Sequence, residues 1–246
     1  MILPGHRIDR LHVLDFGLFD VGPGKRLIGI PGFLLVTDRG AKILFDTGFD
    51  PAYAHDQAAT DARDGLSGFG RLVNHSAVRT LPGQLALLGL TPDDITLCLL
   101  SHGHIDHMGA LPLLSCRILV GAAELAAPPI YWGKGAPFDW PAGQCRPVAG
   151  DLAICDGLTL LATPGHTPGH LSALVSLPDG RQVILAADAI NRISEPDEQF
   201  ADAMDPITAT ASFHKLATLA QRHGAAVIYG HEPAQWPGLP KAPLPF

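Results

Sequence analysis

Short apolar runs separated by glycine, proline and polar residues dominate the pattern along this chain. Such runs, rich in Val, Ile, Leu and Phe and bounded by turn residues, are typical of buried strands. Asp38-Arg39-Gly40 and Pro178-Asp179-Gly180 each lie between two of these runs and predict turns. The predicted strands are 11–18, 33–37, 43–45, 95–100, 117–121, 158–163, 170–177, 182–187 and 225–229.

One long segment has the apolar spacing of a helix. Asp205 offers an N-cap carboxylate, Pro206 suits the first helical position, and Gly224 follows the last periodic residue. These signals predict a helix over residues 206–223. Shorter helical turns are predicted near 83–89 and 91–94, and residues 50–80 are predicted to form a loop with a short helix.

Two stretches lack strand or helix periodicity. Residues 128–147 contain an aromatic cluster and five prolines, which predicts an irregular loop. Such a loop either covers a substrate site as a lid or wall, or only packs on the surface. The proline-rich tail, about 233–246, is expected to lie extended on the surface.

Composition indicates one compact domain over residues 1–246, because 47% of the 246 residues are apolar and 17% are charged. The net charge of −7 offers no basic surface for nucleic acid or anionic lipid. No apolar run is long enough to span a bilayer, and residues 1–7 do not begin a secretion signal. The four cysteines form no Cys-x-x-Cys pair. A cytoplasmic protein with reduced thiols is therefore expected.

The densest chemistry lies in the run 102–107, which follows the apolar run 95–100 directly. It reads His-Gly-His-Ile-Asp-His, so three imidazoles and a carboxylate occupy six consecutive positions. Neutral imidazole and carboxylate are the usual ligands of Zn²⁺ and related ions, and the end of a buried strand holds them still. The run therefore predicts a metal site, with a solvated His-rich turn as the alternative.

Three further predicted strands end in residues of the same kind. His166 follows the strand 158–163, Asp188 follows 182–187, and His231 follows 225–229. A single histidine after a strand is more often a structural residue than a ligand. Four strands that deliver such side chains together indicate one site, because sheet-based enzymes assemble their sites at strand ends.

In these motifs the chain resembles the metallo-β-lactamase superfamily. The His-x-His-x-Asp-His run at 102–107, Thr-Pro-Gly-His at 163–166, Asp188 and Gly-His at 230–231 occur in the order of that superfamily's ligand motifs, and Asp46-Thr47-Gly48 matches an early turn. Within the superfamily the chain is most similar to the N-acyl homoserine lactonase group, on residues 31–36, Gly165-His166, Gly169-His170, Asp205-Pro206 and 230–232. The resemblance implies an α/β fold, an αββα sandwich of two facing mixed β-sheets with helices on the outer faces.

The resemblance also implies a ligand set for two divalent ions. His102, His104 and His166 would hold one ion; Asp106, His107 and His231 would hold the other; Asp188 would bridge them. Zn²⁺ is the expected metal, although Mn, Co or Fe accept the same donors. A hydroxide shared by the ions would be the nucleophile.

Other site roles are expected with less support from the pattern. Asp106, Asp188 and Asn191 are the predicted catalytic residues. Asp46 is expected to orient a ligand imidazole, with turn capping as the alternative, and His170 is expected to be a supporting or structural residue. Composition suggests an apolar substrate pocket formed by Phe33, Tyr131, Trp132, Phe138 and Trp140.

Asn191 departs from the resemblance, because several lactonases of this group carry a tyrosine at that place. Either Asn191 or a group from the aromatic loop replaces the tyrosine hydroxyl, or the substrate is not an acyl homoserine lactone.

The expected function is a metal-dependent hydrolase that opens a small-molecule lactone or related ester. A thioester hydrolase of the glyoxalase II type is the first alternative, disfavoured because only fifteen residues follow His231. A non-catalytic metal-binding scaffold is the second, disfavoured because all seven ligand positions are filled. A phosphodiesterase or nuclease is disfavoured because no basic residues cluster around the motifs.

Overall fold

The computed structural model describes residues 1–22, 26–131 and 136–246. The described chain forms twelve strands and five α-helices. The strands are β1 Ile8–Val21, β2 Arg26–Thr37, β3 Lys42–Phe45, β4 Gly70–Val73, β5 Leu97–Leu99, β6 Arg117–Gly121, β7 Cys145–Val148, β8 Leu152–Cys155, β9 Leu158–Ala162, β10 Leu171–Ser176, β11 Gln182–Ala187 and β12 Ala226–Tyr229. The helices are α1 Gln57–Asp64, α2 Leu81–Ala86, α3 Ile105–Met108, α4 Ala122–Leu125 and α5 Pro206–His223.

The strands form two mixed sheets. The first has the order β4-β1-β2-β3-β5-β6-β7, antiparallel from β4 to β3 and parallel from β3 to β7. The second has the order β12-β11-β10-β9-β8, in which only β11 and β12 are parallel.

The alternation of side chains along the strands divides the core into layers. Phe33 and Leu99 of the first sheet share a buried cluster with Leu160 and Leu185 of the second, so the two sheets face one another. The opposite face of the first sheet packs with residues of α2 and α3, and the outer face of the second packs against α5. The predicted αββα sandwich is confirmed.

The structure extends and adds strands where the sequence pattern is weak. β2 continues through Pro31 and Gly32, which were predicted to lie outside a strand, because it pairs with β1 across an irregular register. Gly32 is needed there, since a Cβ at that position would lie 2.3 Å from the Phe16 ring. β4, β7 and β8 were not predicted; each has only four residues. β4 and β7 are the two edge strands of the first sheet, and β8 is an edge strand of the second.

The C-terminal tail runs beside β1. Lys241 forms a bridge with Val13, and the Phe246 amide donates to the Leu11 carbonyl at 2.8 Å. Within the part of the chain that the structure describes, no helix combines the length and apolar character that a bilayer crossing requires.

Candidate metal centre

The predicted ligands gather at one edge of the sandwich. Strand β5 of the first sheet leads to His102, whereas β9, β11 and β12 of the second lead to His166, Asp188 and His231. Because β9, β11 and β12 run in the same direction, their carboxyl ends share that edge. The short helix α3 follows His104 and carries Asp106 and His107 inward.

Seven side chains form two adjacent groups of donors. The first contains His102, His104, His166 and Asp188; the second contains Asp106, His107 and His231, and in each the ligand atoms lie within 4.8 Å of one another. The sequence resemblance implied the same seven residues, with Asp188 assigned to both sets rather than to the first alone.

The Asp188 carboxylate lies between the two groups. Its Oδ2 is 3.3 Å from His166 Nε2 and 3.9 Å from His102 Nε2. Its Oδ1 is 3.3 Å from both His107 Nε2 and His231 Nε2. Each oxygen therefore faces one group, as a carboxylate shared by two cations would.

Buried atoms without partners show that the site suits cations. His102 Nε2, His107 Nε2 and Asp188 Oδ1 have no hydrogen-bond partner among the described residues. Buried polar atoms in folded proteins are nearly always satisfied, and imidazole nitrogen with carboxylate oxygen is the donor set of Zn²⁺ and similar ions. The residues present fit a pair of divalent ions.

The electrostatics of the metal-free site lead to the same conclusion. Burial lowers the pKa of His166 to about 3, so this ligand is neutral. Burial also opposes protonation of His231, but the Asp188 and Asp106 carboxylates outweigh it and raise the His231 pKa to about 10. The pKa of His107 is likewise raised, against burial, by Asp106 and Asp188. Protons on these two imidazoles supply the positive charge that the carboxylates require.

Asp46 orients imidazoles of both groups. It follows β3 with a left-handed φ of 63°, and its Oδ2 lies 2.8 Å from His107 Nδ1. Ser101 donates to the same carboxylate through its amide and its hydroxyl, each at 2.7 Å, and the Ser101 Oγ is 3.0 Å from His102 Nδ1. With Nδ1 of both rings held, Nε2 of both is directed into the site. The linking role of Ser101 was not predicted.

His170 lies behind the ligands. Its Nε2 accepts the Asp188 amide at 3.1 Å, and its Nδ1 is 2.9 Å from Thr163 Oγ1. Burial keeps the pKa of His170 well below its usual value, so the ring is neutral. The residue before Asp188, Ala187, has a φ of 45°, so the backbone turns sharply where His170 holds it.

Asn191 lines the cavity beside the cluster, and Glu195 accepts hydrogen bonds from its side chain and its backbone. Its amide Nδ2 donates to Glu195 Oε1 at 3.2 Å, and its backbone amide donates to Glu195 Oε2. Its carbonyl accepts the His231 amide at 2.9 Å, which ties the turn after β11 to the end of β12. One of the two N–H groups of the Asn191 side chain is therefore committed to Glu195.

A cavity of about 350 Å³ opens over the donors. Its polar floor includes ligands from both groups, and much of its wall is apolar. The apolar part of the wall includes Phe19, Val21, Ile28, Phe49, Leu66 and Phe69.

The lining of this cavity corrects the substrate pocket that was predicted from composition. Phe33 faces the second sheet, because alternation along β2 sends it into the core between the sheets. Tyr131 is fully buried, and its carbonyl accepts the Ile105 amide at 2.8 Å, so it supports the ligand run from behind. Phe138 and Trp140 pack against the same outer core as Tyr131. These four residues do not line the cavity over the donors, and Trp132 lies outside the described residues.

Two arginines, Arg26 and Arg192, line the cavity, although no basic residues cluster around the motifs in the sequence. Arg192 is ion-paired with Glu198 and has Glu195 Oε1 at 3.8 Å. The Arg26 Nε is buried and has no hydrogen-bond partner among the described residues. The two arginines are far apart in sequence, and neither belongs to a motif, so no local signal marked them.

Comparison with known proteins identifies the family. The profile of the metallo-beta-lactamase superfamily matches residues 33–231. N-acyl homoserine lactonase AttM of Azorhizobium caulinodans is 34% identical over 178 residues, which cover 65% of this chain and 66% of that protein. The match thus spans just under two thirds of that relative. An N-acyl homoserine lactonase of Bacillus cereus is 28% identical over 228 residues, covering 88% of this chain and 86% of that protein.

Solved structures share the fold. An N-acyl homoserine lactone hydrolase, with the product N-hexanoyl-L-homoserine at its catalytic metal centre, superposes with a TM-score of 0.84 at 22% identity, covering 98% of this chain and 100% of that one. AidC, described as a dizinc quorum-quenching lactonase, superposes with a TM-score of 0.67 at 19% identity, covering 97% and 95%. Together with the profile match, the sandwich and its two donor groups show that this chain belongs to the metallo-beta-lactamase superfamily.

Proposed function

We propose that this protein is a metal-dependent hydrolase that opens lactone rings, with N-acyl homoserine lactones as its substrate class. The observation that carries the proposal is the Asp188 carboxylate, whose two oxygens each lie 3.3 Å from imidazoles of a different donor group. The similarity to curated N-acyl homoserine lactonases supports the choice of substrate class.

In this proposal the two donor groups hold two divalent ions. His102, His104 and His166 bind one, Asp106, His107 and His231 bind the other, and Asp188 serves both. Zn²⁺ is the proposed metal, since a small number of imidazole and carboxylate donors is typical of zinc sites. Mn, Co and Fe bind to the same donor types. Such a pair of ions, when bound, lowers the pKa of water and polarises an ester carbonyl.

The protein's own residues bind and orient the substrate. A cavity of about 350 Å³ is in the size range of small-molecule sites. Its apolar wall suits an acyl chain, and its polar floor brings the ester of a small ring to the donor groups. Burial of the chain along Phe19, Phe49 and Phe69 would exclude water from the side of the ring that is not attacked.

The carboxylates and Asn191 have distinct proposed roles. Asp106 is held by His231 at 3.3 Å and by His107 at 3.5 Å, and its side chain is still 17% exposed to the cavity. We assign to Asp106 the transfer of a proton from the attacking water to the leaving alcohol oxygen. Asn191 positions His231 through its backbone carbonyl, which accepts the His231 amide.

The test measures metal content and acid release together. Purified protein should hold two equivalents of metal and release acid from N-acyl homoserine lactones of graded chain length, whereas Asp188→Asn should do neither. S-lactoylglutathione serves as the thioester comparison. Rapid turnover of the thioester with inert lactones would replace this proposal by a thioesterase, and less than one equivalent of metal would favour a non-catalytic protein.

A further inference from the structure

A buried carboxylate outside the ligand set joins the two loops that carry the first donor group. Glu124 lies in α4, directly after β6, and is 3% exposed. Its Oε1 accepts the Gly103 amide at 2.9 Å and its Oε2 accepts the Gly169 amide at 3.0 Å. Gly103 stands between His102 and His104, and Gly169 lies three residues after His166.

The two loops belong to different sheets. The loop with Gly103 leaves β5 of the first sheet, whereas Gly169 is in the connection from β9 to β10 of the second. Glu124 therefore links the sheets at the edge where the donors meet. One backbone bond, from the Leu171 amide to the Ser101 carbonyl at 2.9 Å, makes a neighbouring link.

The backbones around Glu124 approach so closely that glycine is required. A Cβ at Gly121 would lie 1.8 Å from the Gly169 carbonyl oxygen, and a Cβ at Gly169 would lie 2.3 Å from the Glu124 nitrogen. Neither neighbour can move aside, since both are backbone atoms. The Glu124 carboxylate is therefore packed closely between the loops that contain Gly103 and Gly169.

The chemistry of this position favours a linking role over a packing role. A buried carboxylate is costly unless it accepts strong hydrogen bonds, and no ion pair to Glu124 occurs among the described residues. Its two oxygens instead accept two amides, and such charge-assisted bonds are stronger than neutral ones. Glutamine has one side-chain acceptor and so could hold only one loop at a time.

We propose that Glu124 is a positioning residue that keeps His102, His104 and His166 together as ligands of one ion. This inference rests on the proposed metal centre and adds to it the residue that sets the affinity of one of its two sites. In the part of the chain that the structure describes, the second group, Asp106, His107 and His231, donates no hydrogen bond to Glu124.

Glu124→Gln tests the proposal, with Asp64→Asn as the matched control. Asp64 is equally buried, accepts the Tyr53 hydroxyl at 3.0 Å and lies outside both donor groups. Wild type and Asp64→Asn should each retain two equivalents of Zn²⁺ after dialysis. Glu124→Gln should retain one, and chelator competition should show the affinity for the weaker ion reduced about 10–100-fold. The visible spectrum of the Co²⁺-loaded variant should lose the bands of one site and keep those of the other.

Two results would overturn the proposal: wild-type affinity for both ions in Glu124→Gln, or equal weakening of both. Wild-type protein that binds no metal would refute the proposed function instead, so the two failures are distinguishable. If Glu124→Gln does not fold, hydrogen exchange of the Gly103 and Gly169 amides in the wild type tests the proposal instead. Amides protected as strongly as those of β5 and β10 would support the link through Glu124. Exchange as fast as in an open loop would overturn the proposal.

Discussion

The Asp188 amide donates to Nε2 of His170 at 3.1 Å, so the backbone of the shared carboxylate is fixed by a ring that is not itself a ligand. The chain of bonds continues from His170 Nδ1 to Thr163 Oγ1, then to Ser172 Oγ, which donates to the Ala186 carbonyl at 2.8 Å. This chain of hydrogen bonds starts at the Asp188 amide and ends at the Ala186 carbonyl, both at the end of β11. It stabilises the sharp turn before Asp188. Because both His170 nitrogens are used in it, His170 is absent from both donor groups.

His170→Leu should weaken the binding of both ions, because Asp188 faces both groups. The unpartnered Asp188 amide should also lower the free energy of unfolding of metal-free protein by about 1–3 kcal/mol. Thr163→Val is the control, since it leaves Nε2 in place and should have the smaller effect on metal binding. Urea unfolding and metal titration measure these effects; wild-type affinity for both ions in His170→Leu would contradict the role given to this ring.

Asp188→Asn and Asp106→Asn should differ in metal content. Asp188 lies between the groups, so its variant should lose both ions and reduce kcat/KM more than about 100-fold. Asp106 is paired with His107 and His231, and among the described residues it has no ion pair outside the second group, so its variant should keep the first ion. Metal analysis after gel filtration distinguishes the two. Equal stoichiometry in both variants would show that Asp188 does not serve two ions.

The stability of the metal-free protein should fall as pH rises. The folded-state pKa of His231 is raised from 6.5 to about 10 by Asp188 and Asp106 against burial, so its proton stabilises the fold fully below pH 6.5. That stabilisation is lost as pH rises through about 10. Urea unfolding in EDTA across this range should show the decline, and His231→Gln should reduce it, with the raised pKa of His107 accounting for the rest. A wild-type free energy of unfolding that does not change with pH in this range would contradict the pairing of His231 with Asp188 and Asp106.

Arg26→Met should impair substrate binding rather than turnover. Arg26 lines the cavity, and its Nε has no hydrogen-bond partner among the described residues, so we expect its guanidinium to donate to an oxygen of the substrate's acyl amide. Loss of a hydrogen bond to a charged group costs about 1.5–3 kcal/mol, which corresponds to a KM at least about 10-fold higher with little change in kcat.

The specificity of that effect is testable with two substrates and a control. A simple γ-lactone without the amide should be hydrolysed equally well by wild type and Arg26→Met. Arg71→Met is the control, since Arg71 is 74% exposed and pairs with Asp20. If KM rises equally for both lactones, Arg26 does not act through the acyl amide.

Local signals in the sequence determined the elements and the ligands. The helix α5 begins and ends where Asp205, Pro206 and Gly224 predict, because capping depends only on adjacent residues. The run 102–107 and the residues after β9, β11 and β12 were recognisable because a buried strand followed by a polar turn is a short-range pattern. Their resemblance to one superfamily implied two ligand sets, and the structure brings the same seven side chains into two adjacent groups.

Tertiary structure alone decided which side chains surround those ligands. The cavity wall comes from Phe19 and Phe49 rather than Phe33, because the face that a strand residue occupies depends on register and on which sheet covers it. Glu124 and Arg26 carry no local signal, since their roles exist only after two sheets have packed. Short-range propensities specify strands, caps and ligand types. Contacts between residues that are distant in the chain depend on how the sheets pack, and no short segment of the sequence specifies that packing.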